Sequence, residues 1–235
     1  MPVGWYIIIG KNYTRRWMIM IKTVVFDIGR VLIGFEWFPY LHELYDGRYE
    51  DPDRLVEKVT EATFHSPRWS SLDRGLLDGE RIMQQCIAAA PDIAVPIREA
   101  FENVGKCTER TDYAIPWIKE LKDEGFQVLY LSNYSKYVSS RSSQALDFIP
   151  YMDGGVFSCD VNWIKPEREI FNILLKKYNL KAEECVFLDD NKNNIEAASA
   201  MGFNTIPFEY YQQAHGELMS LLDAFNRTNR EQENR

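Results

Sequence analysis

The sequence predicts an α/β fold, a doubly wound parallel sheet with a helical lobe inserted after its first strand. Three observations predict it. Short apolar runs that end abruptly at small or acidic residues occur three times along the chain. Segments of helical periodicity fill the intervals between the runs, as in folds built from alternating strands and helices. One long stretch with helical patterns and no clear strand interrupts this alternation and predicts the inserted lobe.

Each of the three predicted strands is followed directly by polar side chains. The runs are KTVVF (22–26) before Asp27, FQVLYL (126–131) before Ser132 and Asn133, and CVFL (185–188) before Asp189 and Asp190. Because the carboxyl ends of parallel strands open on one crevice of an α/β sheet, these polar residues are expected to converge on a single site.

Helical patterns define the remaining organisation of the chain. One precedes the second strand (115–122), one carries an apolar stripe (167–178) and one ends at Gly202 (195–201). The predicted domains are an N-terminal extension (1–19), a core domain (20–34 and 113–225), a helical cap (35–112) and a polar tail (226–235). The tail is expected to fray.

Composition restricts the function further. The chain has 235 residues, of which 46% are hydrophobic and 26% charged, as expected for a globular protein. A net charge of -8 argues against a general nucleic-acid or membrane-surface binder, which would need a basic face. Four scattered cysteines form no CxxC pair, so reduced thiols in the cytoplasm are expected. The apolar run 5–9 is too short to span a bilayer, and the basic residues after it do not suit a secretory signal.

The polar residues at the strand ends, together with Lys165, supply the groups that phosphoryl transfer to a carboxylate requires. A carboxylate that approaches a phosphate dianion is repelled, so a divalent cation and a fixed positive side chain must neutralise both. Asp27 and Asp190 can provide two carboxylates to Mg2+, and the Gly29 carbonyl can provide a third ligand. Lys165 can neutralise the nucleophile and the phosphate.

The other candidate residues have supporting roles. The Ser132 hydroxyl, with Asn133 and nearby backbone N–H groups, is expected to bind phosphate oxygens. Asp189 is expected to orient Lys165 or a metal-bound water, and Asn194 to brace the acidic loop.

Four ordered motifs, FDIGRVL, LSN, KPE and FLDDNKNN, resemble those of the haloacid dehalogenase (HAD) superfamily over residues 21–208. The resemblance implies a Rossmann-like core with a helical cap between the first two motifs. It also implies a Mg2+-dependent phosphatase that forms an aspartyl-phosphate on Asp27, with Ser132 and Lys165 binding phosphate and Asp190 binding the metal. The expected partner is a phosphorylated small molecule, with no nucleic acid and no membrane, and the protein is expected to be a monomer or homodimer.

One position departs from the usual phosphatase pattern of this superfamily. Gly29 stands where a second aspartate normally serves as general acid and base, a function typically worth about 10²–10⁴-fold in rate. Water, the substrate or a cap residue must therefore assist, or turnover is slow. An Asp-x-Gly subset that includes bacterial sugar-phosphate phosphatases acting on hexose 1-phosphates looks similar. Two alternatives stay open: a 2-haloacid dehalogenase-like hydrolase, and a catalytically weak binding protein.

Two further segments have competing interpretations. Residues 69–75 resemble the polar turn that some capped relatives direct toward the active site, and a helix connection around a buried Trp69 fits the pattern equally well. Arg30 is expected to form a surface ion pair, and residues 36–38 are expected to pack at the hinge between core and cap.

Overall fold

The computed structural model describes residues 20–233, with side chains described as far as residue 224. The expected N-terminal extension therefore lies outside the described residues, as do the last two residues of the polar tail.

Within the described residues, five parallel strands form the central sheet in the order β5-β4-β1-β6-β7. The strands are β1 (Thr23–Phe26), β4 (Gln127–Ser132), β5 (Gly154–Phe157), β6 (Cys185–Asp189) and β7 (Asn204–Pro207); β2 (Ile33–Phe35) and β3 (Thr108–Arg110) form a separate antiparallel pair. In the central register Phe26 lies opposite Tyr130 on one side and Leu188 on the other. The chain thus winds outward in both directions from β1, which confirms the doubly wound fold.

The described residues contain eleven α-helices. They are α1 (Trp37–Tyr45), α2 (Pro52–Ala62), α3 (Pro67–Asp73), α4 (Gly79–Ala89), α5 (Ala94–Glu102), α6 (Ala114–Asp123), α7 (Lys136–Ser139), α8 (Ser158–Val161), α9 (Arg168–Lys177), α10 (Lys192–Ala200) and α11 (Tyr211–Glu233).

Alternate side chains of β1 enter two separate cores. Val24 and Phe26 pack on the face covered by α6 and α11, whereas Val25 packs on the opposite face, which α9 and α10 cover. All three side chains are fully buried, and a strand buried on both faces reads as a continuous apolar run. The central strands were therefore recognisable in the sequence.

The edge strands β5 and β7 were not recognised, because glycine and proline weaken their apolar pattern. Gly155 in β5 is required by close packing: a Cβ there would lie 2.3 Å from the Tyr130 carbonyl oxygen and 2.4 Å from its ring. Pro207 ends β7 at the sheet edge, where the missing N–H does not interrupt a central ladder.

The cap begins and ends at the β2–β3 pair, in which Ile33 lies opposite Arg110 and Phe35 opposite Thr108. Helices α1–α5 lie between these strands and share a buried cluster that includes Leu41, Val56, Ile82 and Phe101. The expectation of no strand within 35–112 was wrong for β3 and for the end of β2. Each strand has only three residues, too few to produce a recognisable alternation.

Local capping sets the start of three cap helices. The side chains of Asp51, Ser66 and Asp78 accept hydrogen bonds from backbone N–H groups in the first turns of α2, α3 and α4. Pro52 and Pro67 occupy the first helical positions, where a missing N–H costs least. The short helix α3 is thus fixed at its start, and its last residue is Asp73.

Helix α11 extends through most of the predicted polar tail, to Glu233. Its first half is anchored by the buried residues Ala214, Leu218 and Leu222, spaced every four residues. Helix propagation from an anchored segment adds one hydrogen bond per residue, which explains why the helix continues where a frayed tail was expected. No helix within residues 20–233 is long and apolar enough to cross a membrane.

Trp117 provides a test of the α6 face of the core. Its side chain is fully buried and its ring lies 4.7 Å from that of Phe26 in an edge-to-face arrangement. We expect Trp117→Ala to lower the free energy of unfolding by about 3–5 kcal/mol, since it removes apolar contacts and leaves a cavity. Urea denaturation measures the change, with Trp163→Ala as a control at a 39% exposed position. A loss below about 1 kcal/mol for Trp117→Ala would contradict this packing.

Candidate active site

The polar residues at the strand ends lie together at the carboxyl edge of the sheet. Asp27 follows β1 directly, Ser132 ends β4 and Asp189 ends β6. β1 is the central strand and pairs with both β4 and β6, so the three residues belong to adjacent strand ends. This is the position at which doubly wound sheets form binding crevices.

Lys165 joins two of these carboxylates. Its Nζ lies 2.8 Å from Asp27 Oδ1 and 2.6 Å from Asp189 Oδ2, and the residue is only 3% exposed. The two negative charges raise the pKa of Lys165 against the effect of burial, so the side chain is a fixed positive charge at the site.

Asn133 holds the backbone of Lys165 in place. The Lys165 N–H donates to Asn133 Oδ1 at 2.8 Å, and Asn133 Nδ2 donates to the Lys165 carbonyl at 3.0 Å. The sequence suggested that Asn133 binds phosphate. In the structure both polar atoms of its side chain are engaged with Lys165, so this side chain positions the lysine.

Asp189 is fully buried and its two oxygens are already engaged. Oδ1 accepts from the Asn191 N–H at 2.8 Å and from Asn194 Nδ2 at 2.9 Å, while Oδ2 accepts from Lys165. Asn194 is itself buried. These contacts are the ones that the expected orienting function of Asp189 and bracing function of Asn194 require, and both functions stay predictions.

Asp27 is buried, and one of its two carboxylate oxygens already has hydrogen-bond partners. Oδ1 accepts from the Ile28 N–H at 2.7 Å and from Lys165. Burial raises the pKa of Asp27 to about 7; Lys165 opposes the rise, and the charges of Asp189 and Asp190 add to it. A carboxylate in this position needs additional positive charge to ionise fully at neutral pH.

Asp27, Asp189 and Asp190 form a group whose ligand atoms lie within 4.8 Å of one another. Asp189 is engaged, whereas Asp190 has a partly exposed side chain, with Arg30 Nη1 3.9 Å from its Oδ2. Burial and the charge of Asp189 raise the pKa of Asp190. The donor chemistry therefore fits Mg2+, which prefers a few carboxylates together with water and substrate oxygens. Gly29 lies beside this group, and a Cβ there would meet no atom within 4 Å.

Arg30 forms the expected ion pair, and its partner belongs to the acidic group. The guanidinium carbon also lies 4.9 Å from the centre of the Trp37 ring, which stacks on Phe64 at 5.4 Å. Trp37 packs at the hinge as expected. Phe38, expected to do the same, is 49% exposed because the first turn of α1 directs it away from the cap core.

The two ends of the cap segment 69–75 differ in their surroundings. Trp69 packs on Phe64 at 4.7 Å and on Phe101 at 5.8 Å, as a structural helix connection would. At the other end of the segment, burial and the charge of Asp27 raise the pKa of Asp73 to about 8. Sequence reasoning named the segment but did not single out Asp73 within it.

The fold and the site together define a doubly wound α/β protein with a helical cap and with a buried aspartate and lysine at the carboxyl edge of its sheet. The chain belongs to the haloacid dehalogenase-like hydrolases, whose family model matches residues 21–202.

Curated relatives include phosphatases. The chain is 24% identical over 213 residues to D-ribitol-5-phosphate phosphatase of Bacteroides thetaiotaomicron. The alignment covers 87% of this chain and 100% of that protein. It is 25% identical over 218 residues to acyl-CoA dehydrogenase family member 10 of Mus musculus, covering 91% of this chain and only 20% of the mouse protein. The chain thus spans about a fifth of that second relative.

Solved structures share the fold. A protein from Porphyromonas gingivalis described as a predicted HAD-like family hydrolase superposes with a TM-score of 0.63 at 21% identity. The superposition covers 86% of this chain and 98% of that one. A HAD family enzyme from Bacteroides thetaiotaomicron was solved as a complex with magnesium and inorganic phosphate. It superposes with a TM-score of 0.58 at 18% identity, and the superposition covers 80% of this chain and 93% of that one. The predicted fold and superfamily are confirmed, and the protein is a hydrolase with phosphatase relatives.

Proposed function

We propose that the protein is a Mg2+-dependent phosphatase that hydrolyses a phosphorylated small metabolite through an aspartyl-phosphate on Asp27. The observation that carries the proposal is Lys165, a buried cation in contact with both Asp27 and Asp189, which form one acidic group with Asp190. A nucleophilic carboxylate and a fixed positive charge are thereby within one hydrogen bond of each other.

The residues of the chain divide the reaction between them. Asp27 Oδ1 is held by Lys165 and the Ile28 N–H, which leaves Oδ2 to attack phosphorus in line with the leaving oxygen. Lys165 neutralises the attacking carboxylate and a phosphate oxygen, and the Ser132 hydroxyl at the end of β4 donates to another. Asp27, Asp190 and the Gly29 carbonyl would hold Mg2+, which supplies the remaining positive charge when bound.

A sugar or polyol phosphate is the proposed substrate class, with hexose 1-phosphates as one candidate. The relative named as a D-ribitol-5-phosphate phosphatase, aligned over its whole length, supports this class. The four cysteines are unpaired and buried, which supports the cytoplasm, where such metabolites are made, as the location. A monomer or homodimer is part of the same proposal.

The acidic group favours a phosphatase over a haloacid dehalogenase. Displacement of halide from carbon uses a carboxylate nucleophile and has no need of Asp190, whose charge would only repel a carboxylate substrate. Asp27 contacts Lys165 and lies close to Asp190. This arrangement argues against a catalytically weak binding protein.

Removal of the metal gives the direct test. We expect excess EDTA to reduce hydrolysis of p-nitrophenyl phosphate by at least about 100-fold, since a bound divalent ion contributes several kcal/mol of transition-state stabilisation. Phosphate release is measured with and without Mg2+ on that ester, ribitol 5-phosphate and glucose 1-phosphate. Chloride release from 2-chloropropionate is the control reaction. EDTA-resistant turnover, or chloride release in place of phosphate release, would refute the proposal.

A further inference from the structure

We propose that Asp73, carried by the cap, is the catalytic acid and base of this phosphatase. The proposal rests on the function proposed above and deepens it. At position 29 the core has glycine and no carboxyl group to protonate the leaving oxygen. Asp73 is the last residue of α3 and is docked against the core on the side of the site.

The backbone of Asp73 is tied to the end of β4. Ser158 Oγ donates to the Asp73 carbonyl at 2.6 Å and accepts from the Tyr134 N–H at 2.9 Å. Tyr134 lies two residues beyond Ser132, which ends the strand beside β1. Two consecutive hydrogen bonds thus connect the cap residue to the segment that carries the candidate phosphate ligands.

The next residues of the cap are docked on the Lys165 side of the site. Arg74 forms a two-pronged ion pair with Glu167, in which Nη1 lies 2.9 Å from Oε2, and its carbonyl accepts from Asn162 Nδ2 at 2.7 Å. Gly75 has a φ of +68°, and a Cβ there would lie 2.6 Å from the Cys159 carbonyl oxygen. This close backbone approach holds segment 73–75 against the core.

Electrostatic interactions agree with the placement that these contacts give Asp73. Burial and the charge of Asp27 raise the pKa of Asp73 to about 8, and burial together with the charge of Asp73 raises the pKa of Tyr134. Arg74, the neighbouring cation, is committed to Glu167. The contacts of residues 73–75 therefore place Asp73 beside the end of β4 that carries Ser132, and in its neutral form its carboxyl is a proton donor for that side of the site.

In this role Asp73 gives a proton in the first half-reaction and takes one back in the second. In the first, Asp27 Oδ2 forms a bond to phosphorus, the bond from phosphorus to the substrate oxygen breaks, and that oxygen takes the proton of Asp73. In the second, a water forms a bond to phosphorus and passes its proton to Asp73 while the bond to Asp27 breaks. The products are the free alcohol and inorganic phosphate, and Asp73 returns to its protonated form.

Leaving-group dependence of Asp73→Asn distinguishes catalysis from structure. An alkyl phosphate such as ribitol 5-phosphate needs a proton on its leaving oxygen, whereas p-nitrophenolate leaves without one. We expect kcat/KM to fall by about 10²–10⁴-fold on the alkyl phosphate and by less than about 10-fold on p-nitrophenyl phosphate. A variant damaged only in structure would lose activity equally on both.

Two controls make the result decisive. Asp46→Asn removes an exposed cap carboxylate at the end of α1 and should leave both kcat/KM values unchanged. In the wild type, kcat/KM across a series of aryl and alkyl phosphates should vary little with leaving-group basicity, a measurement that needs no folded variant. Equal losses for Asp73→Asn on both substrates, or a steep wild-type dependence, would overturn the assignment of Asp73. Absence of wild-type phosphate release would instead refute the proposed function itself.

Discussion

Replacement of Asp27 by asparagine is expected to reduce kcat for phosphate-ester hydrolysis by about 10⁴-fold or more. The amide has the same shape but cannot form an acyl-phosphate, and removal of a covalent nucleophile typically costs an enzyme most of its rate enhancement. Single-turnover assays with 32P-labelled substrate should show no labelled protein for Asp27→Asn and acid-stable, hydroxylamine-sensitive label for the wild type. Retention of more than about 1% of activity would refute the nucleophilic role.

The same substitution should not destabilise the metal-free protein above neutral pH. The pKa of Asp27 is raised from 3.8 to about 7 in the folded chain. Ionisation of this carboxyl therefore lowers the free energy of unfolding progressively as the pH rises from about 4 to about 7. The asparagine side chain of the variant carries no charge and avoids this cost. In EDTA at pH 8 we expect the Tm of Asp27→Asn to equal or exceed that of the wild type. A clearly lower Tm would mean that the Lys165 contact outweighs the cost of burying the charge.

Replacement of Lys165 by methionine is expected to damage both stability and activity. The substitution leaves Asp27 and Asp189 buried without their shared cation, and breaking one side of a buried ion pair costs about 3–5 kcal/mol. Loss of a fixed charge that stabilises the transition state adds a fall in kcat of about 10²–10³-fold. Urea denaturation at pH 7.5 and phosphate release measure the two effects.

An exposed lysine provides the matched control. Lys192, whose side chain is 86% exposed, pairs with Glu196 at 3.7 Å, and Lys192→Met should change stability by less than about 0.5 kcal/mol. The deficit of Lys165→Met should shrink as the pH falls, since the orphaned carboxylates then bind protons and lose their charge. A deficit below about 1 kcal/mol at pH 7.5, or one that grows at low pH, would contradict this account of the buried lysine.

The central strands could be predicted from the sequence because a strand buried on both faces is an unbroken apolar run. Those runs stop where the sheet meets the crevice, which is why Asp27, Ser132 and Asp189 could be placed at one edge before the structure was known. β5 and β7 escaped detection because edge strands tolerate the glycine and proline that interrupt the pattern.

Contacts between distant parts of the chain were beyond sequence reasoning. The segment containing Asp73 fitted a helix connection as well as a turn toward the active site, and only the hydrogen bond from Ser158 and the Arg74–Glu167 pair reveal that its end is docked beside the site. The contacts of Asn133 were equally hidden from the sequence, in which an amide next to a candidate phosphate-binding serine suggests a phosphate ligand. Its partner is a backbone segment that joins it only in the folded chain.

The β2–β3 pair has a consequence for substrate choice. Both connections to the cap pass through these two adjacent strands, so the cap is attached to the core along one side, while Asp73 lies at its docked end. With Asp73 in its proposed role, nucleophile and acid meet only when the two lobes are closed on each other. A phosphate ester too bulky to be enclosed would still reach Asp27 but would find no proton for its leaving oxygen. Size discrimination would then act on kcat more than on binding, and bulky esters would behave as inhibitors.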